Sequence, residues 1–327
     1  MAPIERLRER AIKETDVHVV LPEGKDPRVA AAAAAIVSKN IAQVTILGTE
    51  EELLASASEA GVFLDGVAQV DPKQDPNFEA YVTEYVELRK KKGMTPDKAR
   101  EIMNDPTFFA AMMLRMDRAD VCISGALNPT AHVLRAGLQI VKTAPGVSTM
   151  SSDMIMFSPD KRPPLSFADC AVNPNPTAEQ LAEIALGTAE THKAIFNVEP
   201  VVAMLSFSTR GSAKHELVEK VQKAFKIAHK TAPGLKIDGE MQADAAIDKA
   251  VAMKKAPGSL VAGKANVLIF PDLNAGNIGY KLVQRFAGYE AIGPILQGMN
   301  KPIHDLSRGC SAEDIINLTA VAALQVK

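Results

Sequence analysis

Short apolar runs alternate with segments of helical periodicity along the 327 residues of this chain. The apolar run at residues 17–21 predicts a buried strand, and Asp26-Pro27 after it supply an N-cap and a proline suited to the first helical position. An alanine-rich helix is predicted over residues 29–39 and a second strand over 44–47. Together these segments form a βαβ unit, which is typical of a parallel sheet.

The same alternation continues to the end of the sequence. Residues 75–118 are predicted to be helical, and a strand at 119–123, a turn at 124–130 and a helix at 131–142 follow. After a break at residues 144–146, the pattern predicts strands at 150–157, 165–172, 201–207, 235–238 and 266–270 and a helix at 178–194. The length exceeds that of a usual single core, so we expect two α/β domains.

The composition is that of an ordinary globular enzyme, with 47% hydrophobic and 23% charged residues. A formal net charge of −2 gives no reason to expect a nucleic acid or an anionic membrane as a partner. Cys122, Cys170 and Cys310 are widely spaced, which favours a reducing compartment over a disulfide framework. Residues 1–10 lack the apolar core of a signal peptide, and no apolar run reaches the ~20 residues of a membrane span, so we expect a cytoplasmic protein.

The richest chemistry lies in residues 305–314, at a predicted strand-to-helix turn. Ser307 and Arg308 offer a hydroxyl and a planar guanidinium, and backbone N–H groups at a helix start add further donors for an anion. Asp314, one turn into the helix, is a candidate proton acceptor. Ser311-x-x-Asp314 also matches a helix capping box, with Asp in place of Glu or Gln. Both roles stay open for Asp314, and the local pattern favours the cap.

Other polar turns follow predicted strands, and open α/β sheets bind their ligands at such strand ends. The turn at 271–281 opens a helix, has two glycines that permit close backbone approach, and ends at Lys281, whose charge suits a phosphate. It matches neither a Walker P-loop nor a dinucleotide fingerprint. The turn at 206–212 offers hydroxyls and an arginine, and helix capping by Ser212 is its favoured role. The six histidines show no ligand spacing, so no metal site is expected.

Five segments together resemble the phosphate acetyltransferase (phosphotransacetylase) family, and they stand in that family's order. These segments are residues 167–177, 206–212, 238–246, 270–281 and 305–314. The likeness runs from about Leu21 to the C-terminus and is to the short form of the family, the catalytic core without an N-terminal regulatory extension. It implies a two-domain α/β fold of the isocitrate/isopropylmalate dehydrogenase type, with the active site in an interdomain cleft. The implied domains are 1–144 with 298–327, and 145–297, and the implied assembly is a homodimer.

The resemblance also implies an activity, reversible acetyl transfer between acetyl phosphate and coenzyme A to give acetyl-CoA and phosphate, with no further cofactor. Ser307, Arg308 and Asp314 fall on the family's active-site serine, arginine and aspartate. In the implied mechanism Asp314 takes the thiol proton, the thiolate attacks the acetyl carbonyl in a ternary complex, and Ser307 and Arg308 stabilise the developing charge. The other residues expected to bind the substrates are Lys281, Arg135, Arg89, Thr130, Gly276, Asn277, Gly279 and Cys310.

Three alternatives are left open. A phosphate butyryltransferase would share these motifs and differ in its acyl pocket, which the sequence does not reveal. An oxidoreductase of the isocitrate dehydrogenase type fits the fold, but the sequence has neither a metal-binding aspartate cluster nor an adenine-dinucleotide signature. A non-catalytic protein that binds phosphate or coenzyme A would use the same anion-binding turns.

Overall fold

The computed structural model describes residues 3–326 of the chain. These residues divide into two compact units, one of residues 3–145 with 299–326 and the other of residues 146–298. The first unit is discontinuous, because the chain returns to it after residue 298. The domain boundaries expected from the resemblance, 144/145 and 297/298, stand one residue before the two junctions.

The elements up to residue 145 are, in chain order, α1 (Pro3–Glu14), β1 (His18–Leu21), α2 (Pro27–Ser38), β2 (Gln43–Leu47), α3 (Glu50–Ala60), β3 (Ala68–Val70), α4 (Phe78–Arg89), a 3-10 turn (Lys90–Lys92), α5 (Pro96–Met103), α6 (Pro106–Arg115), β4 (Val121–Ser124), α7 (Thr130–Ala136) and a π-helical turn (Gly137–Val141). The elements of the second unit are β5 (Ser151–Phe157), β6 (Leu165–Ala168), α8 (Ala178–Phe196), β7 (Val201–Leu205), α9 (Glu216–Thr231), β8 (Lys236–Met241), α10 (Ala243–Ile247), α11 (Lys249–Lys255), β9 (Val267–Ile269), α12 (Leu273–Ala287) and β10 (Glu290–Gln297). The last two elements, again in the first unit, are β11 (Ile303–Asp305) and α13 (Ala312–Ala323).

A five-stranded parallel sheet in the order β11-β4-β1-β2-β3 forms the centre of the first unit. β1 lies in the middle of this sheet, and its last three residues are buried, which explains the continuous apolar run. α2 begins as the sequence predicts, because the Asp26 carboxylate accepts a hydrogen bond from the Arg28 amide at 2.8 Å and Pro27 occupies the first turn. The predicted βαβ unit is therefore confirmed.

Residues 75–118 do not form the continuous helical region expected from the sequence. They form α4, the 3-10 turn, α5 and α6, with interruptions at Gly93 and before Pro96 and Pro106. Gly93 takes a left-handed conformation with φ of 71°. The residue before each proline caps the helix that the proline begins, so capping chemistry ends one helix and starts the next. Helical composition alone did not show these boundaries.

The second unit contains a mixed six-stranded sheet in the order β10-β5-β6-β9-β7-β8. β6, β9, β7 and β8 are parallel, and β5 runs antiparallel to both of its neighbours. The strand predicted over 165–172 ends early, at Ala168. The chain beyond it wraps around the Asp169 carboxylate, which accepts backbone N–H bonds from residues 171, 172 and 173 at 3.0, 3.2 and 2.8 Å.

The predicted capping role of Ser212 is wrong. Its hydroxyl oxygen accepts a hydrogen bond from the Thr209 amide at 3.0 Å, inside the turn that follows β7. His215 caps α9 instead, through Nδ1, which accepts from the Leu217 amide at 3.2 Å. The helix begins later than a serine-based signal predicts, because a histidine can also act as the acceptor at a helix start.

Candidate active site

The carboxyl ends of three neighbouring strands meet in the first unit. β11, β4 and β1 are adjacent and parallel, so the turns that follow them, residues 306–311, 125–129 and 22–26, lie at one edge of the sheet. A pocket of about 410 Å³ opens at this edge. It is lined by Asn128, Pro129, Thr130, Ala131, Leu306, Ser307 and Arg308. Sequence reasoning selected three of these residues, Thr130, Ser307 and Arg308.

Ser307 and Arg308 are both exposed at this pocket. Ser307 Oγ accepts a hydrogen bond from the Gly309 amide at 3.2 Å, so the hydroxyl proton can still be donated to a ligand. Within residues 3–326, the Arg308 guanidinium has neither a hydrogen-bond partner nor an ion-pair partner. A planar cation without a partner, next to a hydroxyl, offers the donors that a phosphate group requires.

Thr130, at the start of α7, is tied to the end of β11. Its hydroxyl donates to Asp305 Oδ2 at 2.5 Å, and Asp305 is buried. Burial raises the pKa of Asp305 to about 6, although the hydrogen bond from Thr130 acts in the opposite direction and the charge of Glu23 adds to the increase. While Asp305 is ionised, the Thr130 proton is committed to it, and the hydroxyl oxygen of Thr130 offers only lone pairs to the pocket.

Glu23, in the turn after β1, holds the turn after β4, which contributes Asn128 to the pocket lining. Its carboxylate is only 5% exposed and accepts the backbone N–H groups of residues 125, 126, 127 and 128 at 2.7–3.0 Å. The Asn128 side-chain amide donates to the same group at 3.0 Å. Four N–H groups of the turn before α7 are therefore occupied by a side chain of the protein and cannot bind a phosphate.

Asp314 forms the predicted capping box at the start of α13. Its Oδ2 accepts hydrogen bonds from Ser311 N and Ser311 Oγ, both at 2.8 Å, and its own amide donates to Ser311 Oγ at 3.2 Å. The capping role is thus confirmed. The side chain is also exposed, so the second carboxylate oxygen can still reach a proton donor, and the role of general base stays a prediction.

Cys310 follows Arg308 closely but is buried. Burial raises the pKa of its thiol, and the positive charge of Arg28 offsets that effect only in part. A thiol with a raised pKa is a poor nucleophile, because the thiolate is the reactive form. The site therefore contains a cysteine without the properties of a catalytic one.

Arg89, the last residue of α4, and Arg135 of α7 both lie near Tyr85 of α4. The Arg135 guanidinium carbon lies 5.5 Å from the centre of the Phe108 ring, and its Nη2 lies 3.2 Å from His132 Nδ1. Both arginines act on Tyr85, whose pKa is raised by burial and lowered in part by the two positive charges. Both positive charges therefore act on the same side chain, and the substrate-binding roles of Arg89 and Arg135 stay predictions.

The four candidates on α12 belong to the second unit. A Cβ atom at Gly276 would lie 2.2 Å from the Asp169 carbonyl oxygen, and one at Gly279 would lie 3.0 Å from the Phe270 ring. Asn277 Nδ2 donates to the Cys170 carbonyl at 3.0 Å. The two glycines therefore permit close packing of α12, and the asparagine joins it to the turn after β6. Lys281 of the same helix is exposed, and the substrate-binding roles of all four residues stay predictions.

Three residues of the site were missed by sequence reasoning, namely Glu23, Arg28 and Asp305. Each forms hydrogen bonds with residues far away in the sequence. Arg28, for example, donates to the Arg308 carbonyl, 280 positions away. The available signal was their place directly after a predicted strand or at its end, where a parallel sheet collects its functional groups.

Neither a metal site nor a membrane span is visible in the part of the chain that the structure describes. Within residues 3–326, no group of three or more His, Cys, Asp or Glu side chains is arranged to hold a metal ion. No helix in the same range is long and apolar enough to cross a membrane.

Known proteins resemble this chain over nearly its whole length. A family model described as phosphate acetyl/butaryl transferase matches residues 3–323. The chain is 50% identical to a phosphate acetyltransferase of Clostridium acetobutylicum over 319 residues, which is 96% of each chain. It is also 50% identical to one of Thermoanaerobacterium thermosaccharolyticum over an alignment of 331 positions that covers 100% of both chains.

A solved structure gives the same result for the fold. The crystal structure of a phosphotransacetylase from Streptococcus pyogenes matches with a TM-score of 0.93 and 44% identity, over 98% of this chain and 97% of that one. This likeness confirms the predicted fold class, α/β of the isocitrate/isopropylmalate dehydrogenase type. With a family model over almost all of its length and relatives at half identity, the chain belongs to the phosphate acetyl/butaryl transferase family.

Proposed function

We propose that this protein is a phosphate acetyltransferase, which transfers an acetyl group reversibly between acetyl phosphate and coenzyme A. The observation that carries the proposal is the Arg308 guanidinium, without a partner among residues 3–326, next to the Ser307 hydroxyl, which keeps a proton to donate at the same pocket. Full-length relatives named phosphate acetyltransferase support the choice of acetyl phosphate as the substrate.

The proposed reaction is a direct attack within a ternary complex. Asp314 accepts the thiol proton of coenzyme A, the sulfur forms a bond to the acetyl carbon, and the bond between that carbon and the phosphate oxygen breaks. Phosphate leaves with the electron pair. Arg308 and Ser307 donate hydrogen bonds to the oxygens on which negative charge develops, and preorganised donors of this kind are typically the largest electrostatic contribution to acyl transfer.

The proton transfer sets a requirement on this site. A model thiol has a pKa of about 8.5 and a model aspartic acid a pKa of about 3.9, so the transfer is uphill by roughly 6 kcal/mol between the isolated groups. A cation next to the thiol lowers that cost, because it stabilises the thiolate. We assign this second role to Arg308, since its guanidinium is the charge at the pocket that no described residue neutralises.

The arginines of α4 and α7 are proposed to bind coenzyme A. Arg89 and Arg135 both place a positive charge near Tyr85 in the first unit, and phosphates of coenzyme A are the substrate groups that match these charges. Thr130 is proposed to accept a hydrogen bond from a substrate at the pocket. The binding roles predicted for Lys281, Gly276, Asn277, Gly279 and Cys310 remain part of the proposal.

We further propose that two copies of the chain associate through α12. Ile278, Leu282 and Phe286 recur at every fourth position of this helix and are 56%, 50% and 87% exposed. An apolar stripe of this kind supports the expected homodimer. Phe286→Asp should shift the sedimentation coefficient toward that of a monomer, whereas Phe63→Asp, at an 85% exposed phenylalanine of the first unit, should not. Equal behaviour of the two variants would contradict the use of α12.

An assay with three acyl phosphates tests the activity. Thioester formation from coenzyme A is followed with acetyl, propionyl and butyryl phosphate, and we expect the highest kcat/KM with acetyl phosphate. A preference for butyryl phosphate would favour the phosphate butyryltransferase alternative. If none of the three acyl phosphates gave a thioester, the alternative of a non-catalytic binding protein would be favoured. Double-reciprocal plots should give intersecting lines, because both substrates are bound at once.

Arg308→Lys tests the planar recognition of the phosphate. An ammonium has the charge but not the fork of the guanidinium, so we expect turnover to fall by at least a hundredfold. Near-native turnover of the lysine variant would show that a point charge is sufficient there.

A further inference from the structure

Arg28, in the first turn of α2, uses its whole guanidinium within the protein. A guanidinium carries five N–H donors. Nε and Nη2 donate to the Asp26 carboxylate at 3.0 and 2.6 Å, and Nη2 also donates to the Ala126 carbonyl at 3.0 Å. Nη1 donates to the carbonyls of Arg308 and Cys310, both at 2.8 Å. Every donor has an oxygen acceptor, so this side chain has none to offer to a substrate.

These hydrogen bonds join the turns after three adjacent strands. Asp26 belongs to the turn after β1, Ala126 to the turn after β4, and the two remaining carbonyls to the turn after β11. The carbonyl of Arg308 is itself one of the acceptors, so the backbone from which its side chain extends is held directly. The turn is also tied to the sheet at its start, where Leu306 N donates to the Ser124 carbonyl at the end of β4 at 2.8 Å. Beyond that point the bonds from Gly309 N to Ser307 Oγ and from Cys310 N to Ser307 O are internal, so Arg28 is what joins the carbonyls of Arg308 and Cys310 to the neighbouring turns.

We propose that Arg28 is a positioning residue, which holds the backbone of residues 308–310 so that the Arg308 guanidinium stays at the pocket. The kinetic part of this inference rests on the proposed acetyl transfer. Arg28 touches no substrate and acts through Arg308. A lysine cannot replace it, because an ammonium has three donors and no planar fork to span three turns.

The alternative is that Arg28 only stabilises the folded protein, and its ion pair with Asp26 supports that role. Burial raises the pKa of Asp26, but the hydrogen bonds from Arg28 outweigh that effect, so the pKa lies below its ordinary value. The pair is therefore ionised in the folded protein and contributes to its stability. A loss of stability in an Arg28 variant would not separate the two roles, so a control with a comparable ion pair is needed.

Arg118 offers that control in the same unit. Its guanidinium binds the Asp75 carboxylate at 3.0 Å and the Tyr81 hydroxyl at 2.9 Å. The Arg118 side chain is 32% exposed and that of Arg28 is 31% exposed, with carboxylate partners that are 3% and 5% exposed. Substituting Arg118 thus removes an ion pair of similar burial without a contact to the turn after β11.

The experiment compares Arg28→Lys with Arg118→Lys in the full-length protein. We expect a similar fall in melting temperature for both, but a fall in kcat of at least tenfold for Arg28→Lys alone. Hydrogen exchange of a peptide that spans residues 306–311 should become faster in Arg28→Lys and stay unchanged in Arg118→Lys. Combined with Arg308→Lys, the Arg28 substitution should cause little further loss of kcat, because its effect is transmitted through the same side chain.

Three results would overturn the inference. They are a wild-type kcat in Arg28→Lys, unchanged exchange at residues 306–311, and a loss of kcat that multiplies in full with that of Arg308→Lys. The exchange measurement needs no catalysis, so it tests the role of Arg28 even if the acyl phosphate assay rejects the proposed function. Arg28→Ala is kept as a second variant and should show the same exchange pattern with a larger stability loss.

Discussion

Asp314 caps α13 and is also the proposed base, and substitutions at this one side chain can separate the two roles. Asp314→Asn retains a carbonyl oxygen that can accept the Ser311 N–H bond, now at 2.8 Å, but it cannot accept a proton from a thiol at working pH. Asp314→Ala removes both capacities. The two variants should therefore differ in stability and agree in activity if Asp314 is the base.

The expected losses of stability and of kcat follow from the interactions of Asp314 at the start of α13. Loss of the reciprocal half of a capping box costs about 1 kcal/mol, and loss of a negative charge in the first turn of a helix costs roughly 0.3–1 kcal/mol. Asp314→Ala should thus lower the melting temperature by about 2–4 °C, and Asp314→Asn by less. A general base typically contributes 10²–10⁴-fold, so both variants should lose at least about a hundredfold in kcat.

The assay measures kcat for acetyl transfer and thermal unfolding on the same preparations, with a second capping box as control. Thr49 and Glu52 form this box at α3, where Thr49 N donates to Glu52 Oε2 at 3.0 Å and Glu52 N donates to Thr49 Oγ1 at 3.2 Å. Glu52→Gln and Glu52→Ala should repeat the stability losses of the Asp314 pair and leave kcat unchanged. The control thus isolates what a cap contributes without the chemistry.

Two results would refute the reasoning about Asp314. Turnover of Asp314→Asn within about threefold of the wild type would leave only the cap, because an amide cannot serve as the base. Loss of binding of a desulfo analogue of coenzyme A, together with loss of turnover, would mean that Asp314 shapes the site and does not move the proton. Binding of that analogue should otherwise survive, since it has no thiol to deprotonate.

Three further predictions concern the surroundings of the site. Cys310→Ala should keep kcat within about threefold, because a buried thiol with a raised pKa is not a nucleophile; a trapped acetyl thioester on Cys310 would contradict this. The pKa of Asp305 is about 6 against an ordinary 3.8, so the folded state binds its proton more tightly and stability is lost as pH rises through 6. The difference in unfolding free energy between wild type and Asp305→Asn should therefore fall by roughly 2–3 kcal/mol from about pH 3.5 to 7, and a flat difference would oppose the raised pKa. Gly276→Ala should lower the melting temperature strongly, because its Cβ would lie 2.2 Å from the Asp169 carbonyl oxygen, whereas Gly187→Ala, with its nearest neighbouring atom at 4.0 Å, should not.

The parts of the fold that could be predicted from the sequence depend on local interactions. Asp26 caps α2 from the position directly before its first residue, and Ser311 and Asp314 bond within one helical turn. The inner strands β1 and β4 of the first sheet are almost entirely buried, so their apolar runs stand out against the turns. Patterns of this range are visible in any single sequence, because the partners are separated by a few residues.

The parts that could not be predicted depend on partners far along the chain. Glu23 accepts from amides more than 100 positions away, with a separation of 102 for Gly125. A glutamate after a strand has no periodicity that reveals such a partner. The helix ends within residues 75–118 were not predicted for a different reason. The helical composition of this region conceals the short capping signals at Thr95 and Asp105.

The pairing of charges around the pocket leaves one cation there without a partner in the described part of the chain. Glu23 is bound to backbone amides, Asp26 and Arg28 are bound to each other, and Asp305 is bound to Thr130. Arg308 is thus the charged group at the pocket without a partner among residues 3–326. If Arg28 were also unpaired, it would compete for the anion from a second direction, and the leaving phosphate would have no single position. In the proposed mechanism, the committed charges therefore contribute to catalysis by leaving the phosphate one cation to bind, at one place.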